Sequence, residues 1–185
     1  MEEGHRTCLL VVDVQRLLVD AHPTGGRELL ATISQLLAAC RACGIECIYV
    51  RHGEDHAEGL VPGSDGWQIA EEIAPLAGER VFDKRHSSAF YRTGLREYLR
   101  ERGLGTIIIV GMQTEYCIDA TIKAGFEHGF SLVIPASGNT TYDNAFLRSA
   151  QLVDFYERLI WDGRFGRVIS EPEALALVES DTAPS

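Results

Sequence analysis

The sequence predicts an α/β fold: a three-layer α/β/α sandwich around a mostly parallel, Rossmann-like sheet of six strands. Two observations carry that expectation. Short, nearly continuous apolar runs, such as TCLLVV at 7–12 and TIIIVG at 106–111, have the pattern of strands covered on both faces. Amphipathic stretches of helical period lie between such runs. The two kinds alternate with short connections, the order that builds a parallel sheet with helices on either side.

The elements follow in turn. After the first strand, Leu29, Leu30, Ile33, Leu36, Leu37 and Cys40 recur at helical spacing over 26–43, and Gly44 ends that helix. ECIYV at 46–50 reads as the second strand. The stretch 52–78 is a long polar loop rich in Gly, Asp and His, interrupted by IAEEIAPL, and loops of that length in a compact domain are commonly functional. Residues 80–83 form a short strand, 93–103 a helix closed by Gly103, and 106–111 the clearest buried strand. A helix over 114–129 takes Thr114 as its N-cap, with Glu115 in the first turn. FSLVIP is another strand, 144–161 another helix, RVIS at 167–170 the last strand, and ESDTAPS a fraying tail. No repeat or linker divides the 185 residues, which are expected to form one domain.

Composition excludes several classes. Apolar residues make up 45% and charged residues 24%, as in ordinary globular proteins. A formal charge of -10 opposes nucleic-acid binding. The apolar runs are too short to span a bilayer, and the polar, acidic MEEGHRT start is no secretory signal, so the cytoplasm is expected. Five cysteines, an odd number, fit a reducing compartment. Cys40, Cys43 and Cys47 have a metal-like spacing, but no second C-x2-C pair completes a zinc set. Cys40 and Cys43 fall on the apolar helix face, where cysteine acts as a small hydrophobe.

An open parallel sheet binds ligands beyond the carboxyl ends of its strands, where strand order reverses. With the order 3-2-1-4-5-6, strands one and four are neighbours at that point. Asp13, just after the first strand, and Cys117, in the first turn after TIIIVG, would then face one crevice. A helix N-terminus favours thiolate over thiol and offers N–H groups to an oxyanion. The same placement also suits an inert core cysteine, and Asp13 equally suits a structural or ribose-binding role. Lys84, in the string DKRH, reads by itself as a surface lysine.

VVDVQ at 11–15, DKRHSSAFY at 83–91 and VGMQTEYCIDATIKAGFEHGF at 110–130 resemble three motifs of the isochorismatase-like cysteine hydrolases. That superfamily includes nicotinamidases and N-carbamoylsarcosine amidases, and the likeness runs from Cys8 to Tyr142. The resemblance implies an Asp13–Lys84–Cys117 triad hydrolysing a small amide, or related C–N bond, through a thioester. It also implies a cis Met112–Gln113 peptide and an oxyanion hole from the N–H groups of Gln113 and Cys117. No cofactor is implied, the partner is a small-molecule substrate, and a homodimer or homotetramer is common in the family. Gln15, Trp67, Phe90, Tyr91 and Tyr116 are the candidate substrate contacts, the aromatics being equally suited to core or lid packing.

The likeness thins in places. Nicotinamidases bind a metal with an Asp-x-His pair after the second strand; RHGEDHAEG offers only His52, Asp55 and His56 at another spacing, so no metal is expected. Leu17 and Leu18 replace an aromatic that often follows the first motif. His86 lies near Lys84 but reads as exposed. Two rivals stay open: a vinyl-ether hydrolase using Asp13 as acid with Cys117 a bystander, and a non-catalytic binding module on the same fold.

Overall fold

The computed structural model describes residues 6–55 and 59–181. Its centre is a seven-stranded, wholly parallel sheet, formed by β1 (Arg6–Val12), β2 (Glu46–His52), β3 (Arg80–Lys84), β4 (Leu104–Met112), β5 (Ser131–Pro135), β6 (Asn139–Thr140) and β7 (Arg167–Ile169). The spatial order is β3-β2-β1-β4-β5-β7, with the two-residue β6 paired to the end of β4. Order reverses between β1 and β4, where the sequence placed the crevice.

Period-two alternation sends successive strand residues to opposite layers. Leu9 and Val11 of β1 pack with Leu29, Ile33, Leu36, Leu37 and Cys40 of α2 (Gly26–Ala42) and with Ala174 and Val178 of α6 (Glu171–Ser180). Leu10 and Val12 pack on the other side with Leu95 and Leu99 of α3 (Leu95–Glu101), Ile122 of α4 (Asp119–Glu127) and Trp161. Cys40 and Cys47 belong to the first of these cores, where Cys40 is fully buried.

Four stretches differ from the sequence reading or add to it. A short helix, α1 (Arg16–Asp20), follows the first strand, and IAEEIAPL supplies only a single 3₁₀ turn at Glu71–Ile73. The helix expected from 144 begins at Ser149 as α5 (Ser149–Phe155) and widens into a π-type turn at Tyr156–Trp161. Residues 144–147 instead form a turn in which Asn144 Oδ1 accepts from the N–H groups of Phe146 and Leu147. The C-terminal stretch is no fraying tail as far as Asp181. Ser170 caps α6 with a reciprocal Ser170–Glu173 box and Pro172 sits in its first turn, while Asp181 accepts from the Thr7 N–H at 2.8 Å. Residues 182–185 of the expected tail lie outside the described residues.

Gly111 is required where β4 passes β1. Its φ is +135°, and a Cβ there would lie 2.0 Å from the Val12 carbonyl oxygen. That close approach brings the end of β4, and the turn that follows it, up against the end of β1.

Candidate active site

Three adjacent strands end side by side. His52 and Lys84 are register partners at the ends of β2 and β3, and Val12 pairs with Val50 and Gly111 just before Asp13. Asp13 adopts a left-handed φ of 55° and donates its N–H to the Val50 carbonyl at 3.0 Å, turning the chain at the sheet edge. Beyond β4 the Met112–Gln113 peptide is cis, and a π-type first turn, Thr114–Ile118, carries Cys117. Gln113, not Thr114, is the N-cap; the Thr114 hydroxyl donates to Asn139 Oδ1 at 2.7 Å.

Lys84 joins these ends. Its ammonium lies 2.6 Å from Asp13 Oδ2, 3.1 Å from Cys117 Sγ, 3.1 Å from the His86 carbonyl and 3.2 Å from His52 Nδ1. Lys84 and Asp13 are both about 1% exposed, so each charge depends on the other. An ammonium only donates, so its contact with His52 Nδ1 is a hydrogen bond in the tautomer that carries the ring proton on Nε2, which lies 2.9 Å from Glu54 Oε1.

Electrostatics correct one expectation. The helix start was expected to favour thiolate, yet the Cys117 thiol is pushed up to about 12. Burial is the main cause, the Asp13 carboxylate adds to it, and the nearby Lys84 ammonium opposes both. Burial likewise raises the Asp13 carboxyl, against the pull of Lys84. Asp13 and Lys84 form a buried acid–base pair beside the Cys117 thiol.

The sequence-predicted contacts divide sharply. Asp13, Gln113, Tyr116 and Cys117 line one cavity of about 260 Å³, and Tyr116 is exposed there. Gln15 is not among the residues lining this cavity: its amide grips the His52 backbone in both directions at 2.9 Å and donates to the Trp67 carbonyl at 2.8 Å. Trp67 is buried under the Arg51 guanidinium, 3.6 Å from its ring centroid, and lines no part of this cavity. Phe90 is a core residue stacked on Phe130, and Tyr91 packs its edge on His86 beside a different hollow. His86 is exposed, as expected, and reaches the site only through its carbonyl.

Residues not named from the sequence as substrate contacts complete the wall: Leu18, Glu54, Leu60, Ser87 and Met112. Ser87 stood in the DKRHSSAFY motif and was passed over; Glu54 and Leu60 sat in a polar loop with no periodicity to mark them. Of the histidine and aspartate candidates, His52 faces the triad and Asp55 pairs with Arg85, while His56 lies outside the described residues. Asp13, His52 and Cys117 offer donor atoms within 4.8 Å of one another. The Lys84 ammonium already stands among those three atoms, so a metal ion would have to displace a buried cation.

Behind the nucleophile turn, Asn139 passes the Thr114 contact to Glu157, whose Oε1 accepts from Asn139 Nδ2 at 2.7 Å. Burial pushes the Glu157 carboxyl up to about 7. A carboxyl whose pKa is raised on folding stabilises the fold when protonated, and that contribution is lost as pH climbs from the ordinary carboxyl range to about 7. Glu157→Gln keeps an acceptor for Asn139 and is expected to be about 2 kcal/mol more stable than wild type at pH 8, with no difference near pH 4. Urea melts at the two pH values check this, and an equal difference at both would sink it.

Residues 7–169 match the family model described as the isochorismatase domain. The chain belongs to the isochorismatase family. Among relatives, it is 32% identical to the isochorismatase family protein YddQ of Bacillus subtilis over 73% of this chain and 79% of that one. It is 28% identical to the maleamate amidohydrolase of Pseudomonas putida, over 93% and 86% of the two chains. A streptothricin hydrolase of Streptomyces noursei is 30% identical over 73% of this chain, which spans only 54% of that protein. Among solved structures, a cysteine hydrolase from Pseudomonas syringae pv. phaseolicola superposes with a TM-score of 0.86 at 25% identity, covering 95% of this chain and 93% of that one. The three-layer α/β fold read from the sequence is therefore the fold of this isochorismatase family member.

Proposed function

We propose that this isochorismatase family member is a cysteine amidohydrolase that cleaves a small-molecule amide, or a related C–N bond, through a thioester on Cys117. The observation that carries this reading is the single buried ammonium of Lys84, within 3.1 Å of both the Asp13 carboxylate and the Cys117 sulfur. The amidohydrolase names of relatives point the same way.

In this mechanism Asp13 takes the thiol proton as Cys117 attacks the carbonyl carbon. Lys84 then faces a thiolate and a neutral carboxyl in place of a thiol and a carboxylate, so the positive charge stays paired throughout. The N–H groups of Gln113 and Cys117 receive the oxyanion. Asp13 returns the proton to the departing amine, and then acts as base for the water that hydrolyses the thioester. A thiol at about 12 makes this base indispensable, because free thiolate is scarce at neutral pH.

The whole chain acts as one domain on a small molecule in the cytoplasm, a reading supported by its five free cysteines. Exposed Phe146, Leu147 and Leu159 support a homo-oligomer. Among the described residues no helix is long and apolar enough to cross a membrane. Cys117→Ala is expected to lower hydrolysis of a panel of small amides by about 10³-fold or more, while wild type yields an acyl adduct on Cys117 in quenched turnover by mass spectrometry. Full activity in Cys117→Ala would shift the reading to vinyl-ether or other acid chemistry on Asp13.

A further inference from the structure

We infer that the cavity selects an amide substrate carrying a positive charge, and that Glu54 at its wall is the residue that reads this charge. The inference rests on the cysteine-hydrolase reading and deepens it by naming a substrate class.

Charge around the cavity does not cancel. Among the described residues that line it, the acidic side chains are Asp13 and Glu54, and none is Lys or Arg. Lys84 is fully buried, its three ammonium hydrogens shared among Asp13, Cys117, the His86 carbonyl and His52. It neutralises Asp13 and offers no cation to a ligand. His52 sets its Nδ1 against that ammonium and its Nε2 against Glu54. Arg85, on the same stretch as Ser87, pairs with Asp55. Among the described residues Glu54 thus has no Lys or Arg partner, and about half of its side chain is open to solvent.

The rest of the wall strengthens that charge. Leu18, Leu60 and Met112 are apolar, and low-dielectric walls focus a field that bulk water would weaken. Tyr116 adds an exposed ring whose π face suits an ammonium or guanidinium. In a cavity of about 260 Å³ a substrate carboxylate could not stay clear of Glu54. The formal charge of -10 biases approach in the same direction. An amide bearing an amine, guanidine or amidine is favoured, a neutral amide is tolerated, and an amide bearing a carboxylate is disfavoured.

Charged thiol reagents of equal size test this without knowing the substrate. The full-length protein is treated with the trimethylammonioethyl, the sulfonatoethyl and the neutral methyl methanethiosulfonates. Each rate at Cys117 is read by peptide mass spectrometry and normalised to the same reagent's rate with 2-mercaptoethanol. The cationic reagent is expected to react about tenfold faster than the anionic one, the ratio shrinking with added salt. Glu54→Gln should bring the ratio close to one, and Glu54→Lys should reverse it. A wild-type ratio near one or favouring the anion, or a preference unmoved by both substitutions, overturns the inference while leaving the nucleophile reading intact. If instead the neutral reagent modifies Cys117 no faster than half-buried Cys43, and Cys117→Ala still hydrolyses amides, the underlying reading has failed.

Discussion

Lys84→Met is expected to remove about 3–5 kcal/mol of folding stability at pH 7 and to abolish hydrolysis. The side chain fits by size, so packing is largely kept and the loss is electrostatic. With Lys84 gone, the Asp13 carboxylate stays about 1% exposed without a countercharge. Burial already pushes its carboxyl upward, and the ammonium is the largest influence opposing that push. In the variant Asp13 must protonate to stay buried, so its folded pKa, already raised in the wild type, rises further above the unfolded value. Stability of the variant then improves as pH falls, and the deficit against wild type shrinks in acid. Adding Asp13→Asn should restore much of the stability at pH 7, though not the activity, because a neutral amide needs no counterion. Urea unfolding of the wild type, both single variants and the double variant gives the coupling directly. A Lys84→Met protein as stable as wild type at pH 7 would show that the pair does not hold this end of the sheet together.

Most of the fold was legible because burial on both faces leaves a plain trace. A central parallel strand must be apolar at nearly every position, as TCLLVV and TIIIVG are, and a helix covering it must repeat its apolar side chains every three to four residues. Elements too short to show a period were missed: α1 has five residues and β6 only two. The missed α6 is a different case. Its signal was present in Ser170, Pro172 and Glu173, a capping box with proline in the first turn, but it was masked by the polar tail that follows. The early start given to α5 has a local cause, since Asn144 spends its side chain on a turn that competes with helix.

The site was only partly legible. Asp13 and Cys117 follow from strand ends at a switch point, which is topology and can be read from element order. Lys84 could not be found that way. In sequence it is one charge among three in DKRH, and only the motif resemblance separated it from its neighbours. The structure shows why it is buried: register pairs it with His52 at the ends of β3 and β2, one strand from Asp13. Aromatics were poor guides to the cavity, because the features that suit them to ligands suit them equally to cores. Trp67 and Phe90 went to packing, and Tyr116 alone of the named aromatics lines the cavity. Gln15 stands in the VVDVQ motif, two residues after Asp13. Its period-two separation from Asp13 said nothing of the backbone groups of His52, which lie 37 residues away in sequence and satisfy its amide.

Asp13→Asn is expected to decouple a pair of properties that usually fall together: alkylation of Cys117 should speed up while hydrolysis drops by about 10³-fold. The Cys117 thiol stands at about 12 partly because a carboxylate lies beside it, and Lys84 alone pulls it down. Asparagine removes the like charge and leaves the ammonium 3.1 Å from the sulfur. The thiol pKa therefore falls, and more thiolate is present at any pH below it. Iodoacetamide labelling near pH 7.5 should rise on the order of tenfold, less than the gain in thiolate, because a weaker base is also a weaker nucleophile. Hydrolysis needs more than a thiolate: a proton must reach the leaving amine, and a base must activate water against the thioester. Asparagine can do neither. Labelling rates across about pH 6 to 9, read at Cys117 by mass spectrometry beside hydrolysis of the best amide of the panel, separate the two effects. If labelling slows in step with hydrolysis, the carboxylate is activating the sulfur in the resting enzyme and not only accepting its proton. The assignment of a resting thiol beside a carboxylate–ammonium pair would then have to give way to a preformed thiolate.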